Sequence, residues 1–291
     1  MEEPKEITAW RQQGRELNVF GRRIFVTDQG QGAGDPILFL HGFPTSSFDF
    51  RQVMAQLSKN RRVVAHDHLG FGLSEKPTAW SYSLLEQADF ALGVWRALGI
   101  TRGHVVGHDY GTTIANELCT RSVRGLLPFE LSSVTFCNGS MMLELAQLRV
   151  TQKLMRSTLT GPLFAKLASY RTFRLQLRAI FGRPDAVSDR ELELAWWLIN
   201  SDDGRARLHP ISQYIGERAR FRERWIDSLP KLEAPMNLLW AKEDPIAVTA
   251  IPEALARACP KAKTTWLDGL GHYPMLEDPA RWAAALSAML G

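Results

Sequence analysis

The chain has little of what marks membrane, secreted or metal-bound proteins. It contains no run of about eighteen apolar residues, the length a membrane-spanning helix needs. Its first residues, Met1-Glu2-Glu3-Pro4-Lys5-Glu6, form no basic-then-apolar leader. Only 3 cysteines occur, Cys119, Cys137 and Cys259, odd in number and widely spaced. That fits neither a disulfide framework nor a zinc site, and it predicts a reducing compartment. Net charge is +4 over 291 residues, too slight to argue for nucleic acid. No G-x-G-x-x-G spacing is found, so the glycines predict no dinucleotide cradle. No internal repeat or low-complexity stretch appears. These absences predict a soluble, cytoplasmic protein that uses no metal and no cofactor, with neither nucleic acid nor a membrane span among its partners. They leave its oligomeric state open.

What the chain does have is hydrophobic runs alternating with amphipathic stretches. Leu17–Phe20 and Arg22–Asp28 read as two strands around Gly21, a hairpin at a sheet edge. Ile37-Leu38-Phe39-Leu40 is continuously apolar, as a strand covered on both faces must be. Arg62–His66, the stretch before Gly107, Ser133–Cys137, Met236–Trp240 and Thr264–Leu267 supply further strands. Leu84–Leu98 and the closing stretch from Pro279 to Met289 read as helices. The alternation predicts an α/β fold with a doubly wound, mostly parallel sheet. From about Ser140 to Ser228 the period is helical throughout, with an excess of about seven basic over acidic residues between Gln147 and Trp225. This block reads as an inserted helical cap, with most of its arginines on a solvated surface. The predicted boundaries are 1–139 for the first part of the core, 140–228 for the cap and 229–291 for the rest of the core.

The sharpest local signal is Gly107-His108-Asp109-Tyr110-Gly111, between an apolar strand and a helix. Glycines at both ends of a tight turn hold the residue between them in a strained, exposed pose. Here that residue is Asp109, where esterases carry serine. The helix N-terminus that follows favours negative charge, and a carboxylate is a nucleophile that needs no activating base. Asp244 and His272 follow later in the chain, each just past a strand end. The order nucleophile, acid, histidine is the order of hydrolases on such a sheet. Glu243 and Asp268 are the rival acids; Asp244 is preferred for its loop position and the proline after it. The loop His41-Gly42-Phe43-Pro44 leaves the carboxyl end of a predicted central strand. There the backbone N–H of Phe43, beside that of Tyr110, makes an anion hole. Asp67, in the glycine-rich loop that runs to Ser74, reads as a residue that bonds its own loop.

Through His41-Gly42-Phe43-Pro44, Asp67 to Ser74, the elbow and Gly271-His272, the sequence resembles the α/β-hydrolase superfamily over nearly its whole length. With an aspartate nucleophile it is similar to the epoxide hydrolase branch and to the haloalkane dehalogenases. Dehalogenases of this type carry a tryptophan after the nucleophile and often an asparagine at the third residue of the H-G-x-P stretch. This chain has Tyr110 and Phe43 there. The resemblance also implies a cap tyrosine as proton donor to an opening epoxide, because an alkoxide leaving group needs an acid. Tyr214, 30 residues before Asp244, is the candidate, and Tyr170 is the other tyrosine of the cap, open to a second donor role or to core packing. The sequence thus implies a hydrolase that opens epoxides through an alkyl ester on Asp109, taking a small apolar electrophile and water. A haloalkane or haloacid dehalogenase with the same nucleophile is the alternative enzyme. A non-catalytic ligand-binding protein on the same fold is the alternative from another class.

Overall fold

A computed structural model describes residues 2–291. The chain opens with α1 (Lys5–Gln12), which buries Ile7 and Trp10 three residues apart on one face. The strands β1 (Gly14–Val19) and β2 (Arg22–Gln29) follow, then β3 (Ile37–Leu40). The helix α2 (Arg51–Leu57), β4 (Val63–His66), α3 (Leu84–Ala97) and β5 (Arg102–His108) lead to α4 (Tyr110–Val123) and β6 (Glu130–Cys137). A single sheet of 8 strands has the order β1-β2-β4-β3-β5-β6, continuing to β7 (Met236–Ala241) and β8 (Lys263–Leu267). β1 and β2 form the expected edge hairpin, and β2 joins β4 antiparallel; every other pairing is parallel. This is the doubly wound sheet that the hydrophobic runs predict. The N-terminal helix α1 is an addition to that reading.

Between β6 and β7 the regular structure is all helical, after a loop over residues 138–149. It forms α5 (Val150–Arg156), α6 (Gly161–Leu167), α7 (Tyr170–Arg178), α8 (Asp189–Asn200), α9 (Leu208–Ser212), α10 (Tyr214–Arg220) and α11 (Arg222–Ile226), with short 3-10 turns between them. After β7 come α12 (Ala250–Ala258), then, past β8, α13 (Pro274–Glu277) and α14 (Pro279–Leu290). Apolar side chains pack into two clusters, and the helical segment contributes to both. Ile211, Tyr214 and Trp225 join the cluster around α3 and α4; Phe173, Leu177 and Leu194 join the one that includes α14. Polar locks fix the segment as well. Glu117, buried on α4, accepts from Arg224 Nη2 at 2.7 Å and from Trp225 Nε1 at 2.8 Å. Asp67 bonds its own surroundings as expected, accepting from the Ser47 N–H at 2.8 Å and the Leu73 N–H at 2.7 Å.

The elbow sits where β5 ends at the middle of the sheet. Asp109 has φ 44° and ψ −104°, a conformation that costs an L residue about 1–3 kcal/mol. The surroundings enforce it. A Cβ on Gly111 would lie 2.1 Å from the Leu40 carbonyl oxygen, and one on Gly107 would lie 2.6 Å from the Gly111 oxygen. Helix α4 therefore crosses β3 at a distance that only glycine permits. Gly111→Ala is expected to destabilise the protein by about 1–3 kcal/mol, the usual cost of overpacking a fixed backbone. A denaturant melt with an unchanged midpoint would contradict so close an approach.

Candidate active site

Three loops leaving the carboxyl ends of β3, β5 and β8 bring Phe43, Asp109 and His272 to the base of one cavity of about 350 Å³. The walls above come from the helical segment: Met155, Phe164, Leu167, Phe173, Leu177 and Trp196 supply apolar surface, with Arg149, Gln152, Thr172 and Gln176 among the polar side chains. Asp109 and His272 are both buried. The Phe43 N–H donates to Asp109 Oδ2 at 3.1 Å, so the expected anion-hole donor already touches the carboxylate. Tyr110 opens α4, where its N–H is a first-turn donor without an intrahelical acceptor. Its ring packs away from the cavity, with its hydroxyl donating to the Tyr82 carbonyl at 3.4 Å.

Asp244 stands behind the histidine. Its Oδ2 lies 2.7 Å from His272 Nδ1, while its Oδ1 accepts the N–H groups of Ile246 at 2.8 Å and Ala247 at 3.0 Å. Assigning the proton of that pair to Nδ1 leaves Nε2 as the free, basic nitrogen. Burial works against charge on His272, but Asp244 in contact and Asp109 nearby outweigh it and raise its pKa above the ordinary 6.5. Burial likewise opposes charge on Asp244, and the imidazole with its hydrogen bonds outweighs it, holding Asp244 below the usual carboxylate range. His108, next to Asp109, is pushed down to about 4 by burial and by His272, and it stays neutral while bonding the His272 carbonyl at 2.7 Å. The rival acids lie outside the site: Glu243 is exposed, and Asp268 pairs with Lys242 at 2.7 Å.

Two residues that sequence reasoning passed over complete the arrangement. Asn138, at the end of β6, donates from Nδ2 to Asp244 Oδ2 at 2.8 Å, and its own Oδ1 accepts the Ala241 N–H at 3.0 Å. The only sequence signal was the Asn-Gly pair after a strand. Arg218 is the larger surprise, since the basic helical block reads as a solvated surface and this side chain is fully buried. Its Nε donates to Thr113 Oγ1 at 2.8 Å, its Nη1 to Ser140 Oγ at 2.5 Å, and its Nη2 to the Asp109 carbonyl at 2.8 Å. The same Nη2 is 3.7 Å from Asp109 Oδ1. A buried cation thus sits beside the buried carboxylate, the pairing that both need out of water.

The two candidate tyrosines part company. Tyr214 is buried, one helical turn before Arg218, whose guanidinium carbon lies 4.6 Å from its ring centroid. Its ring packs on Phe43 and Tyr110 at centroid distances of 5.6 and 5.1 Å. Tyr214 lies behind Phe43 and is not itself part of the cavity lining; its hydroxyl makes no well-formed hydrogen bond among the described residues, and Gln152 of the cavity wall and Arg218 are the polar groups near enough to act on it. Burial, reinforced by Asp109, raises its pKa, so it stays protonated. Tyr170 does not join the site. It opens α7 half-buried against the apolar cluster and turns its hydroxyl to the Asp189 carbonyl at 3.2 Å, outside the cavity wall.

An NMR titration checks the electrostatics of the pair. His272 is expected to deprotonate above pH 6.5 in the native chain. Asp244→Asn removes the charge that holds the proton, so the midpoint is expected to move to lower pH. An unchanged midpoint would mean that Asp244 does not govern the imidazole.

The family described as alpha/beta hydrolase fold matches residues 35–279. The putative hydrolase LipZ of Mycobacterium tuberculosis is 38% identical over 284 residues, covering 98% of both chains. The mesoderm-specific transcript homolog protein of Homo sapiens is 33% identical over 284 residues, covering 94% of this chain and 84% of that one. Among solved structures, the haloalkane dehalogenase DbeA from Bradyrhizobium elkani superposes with a TM-score of 0.81 at 22% identity, covering 95% of this chain and 97% of that one, a likeness of fold. With its sheet order, its elbow and these full-length relatives, the chain belongs to the α/β-hydrolase fold family and is a hydrolase of that fold.

Proposed function

We propose that this hydrolase opens epoxides to vicinal diols, with Asp109 as the nucleophile. One observation carries the choice: Tyr214, stacked under the Arg218 guanidinium that stands 3.7 Å from Asp109 Oδ1, has a buried, protonated hydroxyl that makes no well-formed hydrogen bond among the described residues. An unpartnered buried hydroxyl is costly, and such groups in a native site call for an explanation. An epoxide oxygen would supply the missing acceptor. In the first half-reaction an Asp109 oxygen attacks an epoxide carbon, the C–O bond breaks, and Tyr214 gives its proton to the departing oxygen. The result is a hydroxyalkyl ester and a tyrosinate beside Arg218.

In the second half-reaction, His272 Nε2 takes a proton from water and the hydroxide attacks the ester carbonyl. The Phe43 and Tyr110 N–H groups receive the oxyanion. Collapse releases the diol, and the two protons of the water end on the diol oxygen and on Tyr214. Charge balance supports the change of role at His272. Esterification removes the Asp109 charge that helps hold its proton, while the Arg218 cation, which opposes that proton, remains. The imidazole is then the neutral base that hydrolysis requires.

Trp196 in the cavity wall favours a second reading, haloalkane dehalogenation, since an indole N–H suits a departing halide. Against it, the side chains of Phe43 and Tyr110 place no donor in the cavity beside Asp109. Tyr214→Phe is expected to lower epoxide turnover about 10²–10⁴-fold, the range for losing a general acid, with folding intact. Asp109→Ala is expected to abolish it. Full activity in Tyr214→Phe would remove the argument for epoxides. Full activity in Asp109→Ala would remove the covalent route.

A further inference from the structure

The stretch Arg149–Arg178, which covers α5, α6 and α7, contains 7 Lys and Arg residues and no Asp or Glu. Large apolar side chains left in water concentrate there too. Of 8 that are exposed among the described residues, 6 fall in this stretch: Val150, Leu159, Leu163, Phe164, Leu167 and Leu175. Leu159 is 91% exposed and Leu167 is 68% exposed. Helix α6 turns Ala165 inward and leaves Leu163 and Leu167 outward, one turn apart, with Leu159 one turn earlier. An exposed apolar patch of this kind marks an interaction surface.

The charges say what covers it. Arg174 and Arg178 pair with Asp189 at 2.7 and 2.6 Å. Arg149, Lys153, Arg156, Lys166 and Arg171 have no carboxylate within ion-pair distance among the described residues. Lys153, Arg156, Lys166 and Arg171 are exposed around the leucines. A second copy of this chain, meeting the patch with its own, would set these unpaired cations against one another. Apolar side chains flanked by free lysines and arginines suit a surface of acyl chains beneath negative headgroups. The cavity opens through the same surface, since Phe164, Leu167, Thr172 and Gln176 are both exposed and part of its wall.

We propose that α5–α7 dock on the surface of an anionic lipid bilayer and turn the mouth of the active-site cavity toward the apolar phase. An apolar epoxide dissolved in the bilayer then reaches Asp109 without passing through water; this clause alone rests on the reading of the site given above.

Flotation of the full chain with vesicles of phosphatidylcholine, with or without phosphatidylglycerol, tests the docking. The chain is expected to float with the anionic vesicles and to be released at about 1 M salt, where charges are screened beyond about 3 Å. Leu159→Glu with Leu163→Glu, and separately Lys153→Glu with Lys166→Glu, are expected to lower the partition coefficient by about tenfold or more. All four side chains are exposed and none lines the cavity, so the melting temperature is expected to stay unchanged. Absence of flotation, equal flotation with both vesicle types, or indifference to either pair of substitutions would overturn the proposal. So would a dimer in sedimentation that Leu159→Glu with Leu163→Glu dissociates. No readout here involves turnover, so the docking and the epoxide chemistry can fail independently.

Discussion

The site depends on a carboxylate held out of water on a strained turn. Asp109 has a positive φ, its carboxylate is almost wholly buried, and its neighbours leave no room for a relaxed backbone. Such an arrangement persists only where the surroundings over-determine it. Here they do so twice. Covalently, Gly107 and Gly111 let β5, β3 and α4 close around the turn. Electrostatically, Arg218 comes from the far side of the chain to hold the Asp109 carbonyl and stand by its carboxylate.

That pairing explains why the helical segment and the sheet have to be one piece. Arg218 sits on α10, between Tyr214 on the same helix face and Thr113 and Ser140 from the sheet side. The Glu117 cluster with Arg224 and Trp225 locks the next helix onto α4. Two buried charge contacts therefore fix the helices α10 and α11, the first of them carrying Tyr214, to α4 and the Asp109 turn that opens it. If α10 came away from α4, Asp109 would lose its counterion and Arg218 would be left with unpaired donors. Either loss is among the costlier defects a buried site can suffer.

Much of this could be read in the sequence because it rests on local rules. The run Ile37–Leu40 has to be a covered strand, Gly107 to Gly111 has to be a sharp turn, and Gly271-His272 falls in the loop after the last strand, where the structure brings it to Asp244. The elements missing from that reading depend on tertiary placement. Helix α1 is short, and only Ile7 and Trp10 mark its buried face. Arg218 is one arginine in a strongly basic stretch, and nothing local separates it from those that face solvent. Its spacing of four from Tyr214 puts the two on one helix face, but only the packing of α10 on α4 shows that this face is buried. For Tyr170 the sequence left a second donor role and core packing open, and only the tertiary placement puts its hydroxyl at the Asp189 carbonyl.

The central claim is that Asp109 attacks an epoxide carbon and retains the opened molecule as an ester. His272→Gln tests it most directly, because attack by a carboxylate needs no base while hydrolysis of the ester does. The intact mass of this variant after exposure to an aryl or alkyl epoxide is expected to rise by the whole mass of the epoxide, since the opened oxygen stays attached. The gain should map to the peptide that contains Asp109. A gain from haloalkanes that is short by one hydrogen halide, with none from epoxides, would contradict the account in favour of dehalogenation. No adduct from either class would contradict covalent catalysis by Asp109 altogether.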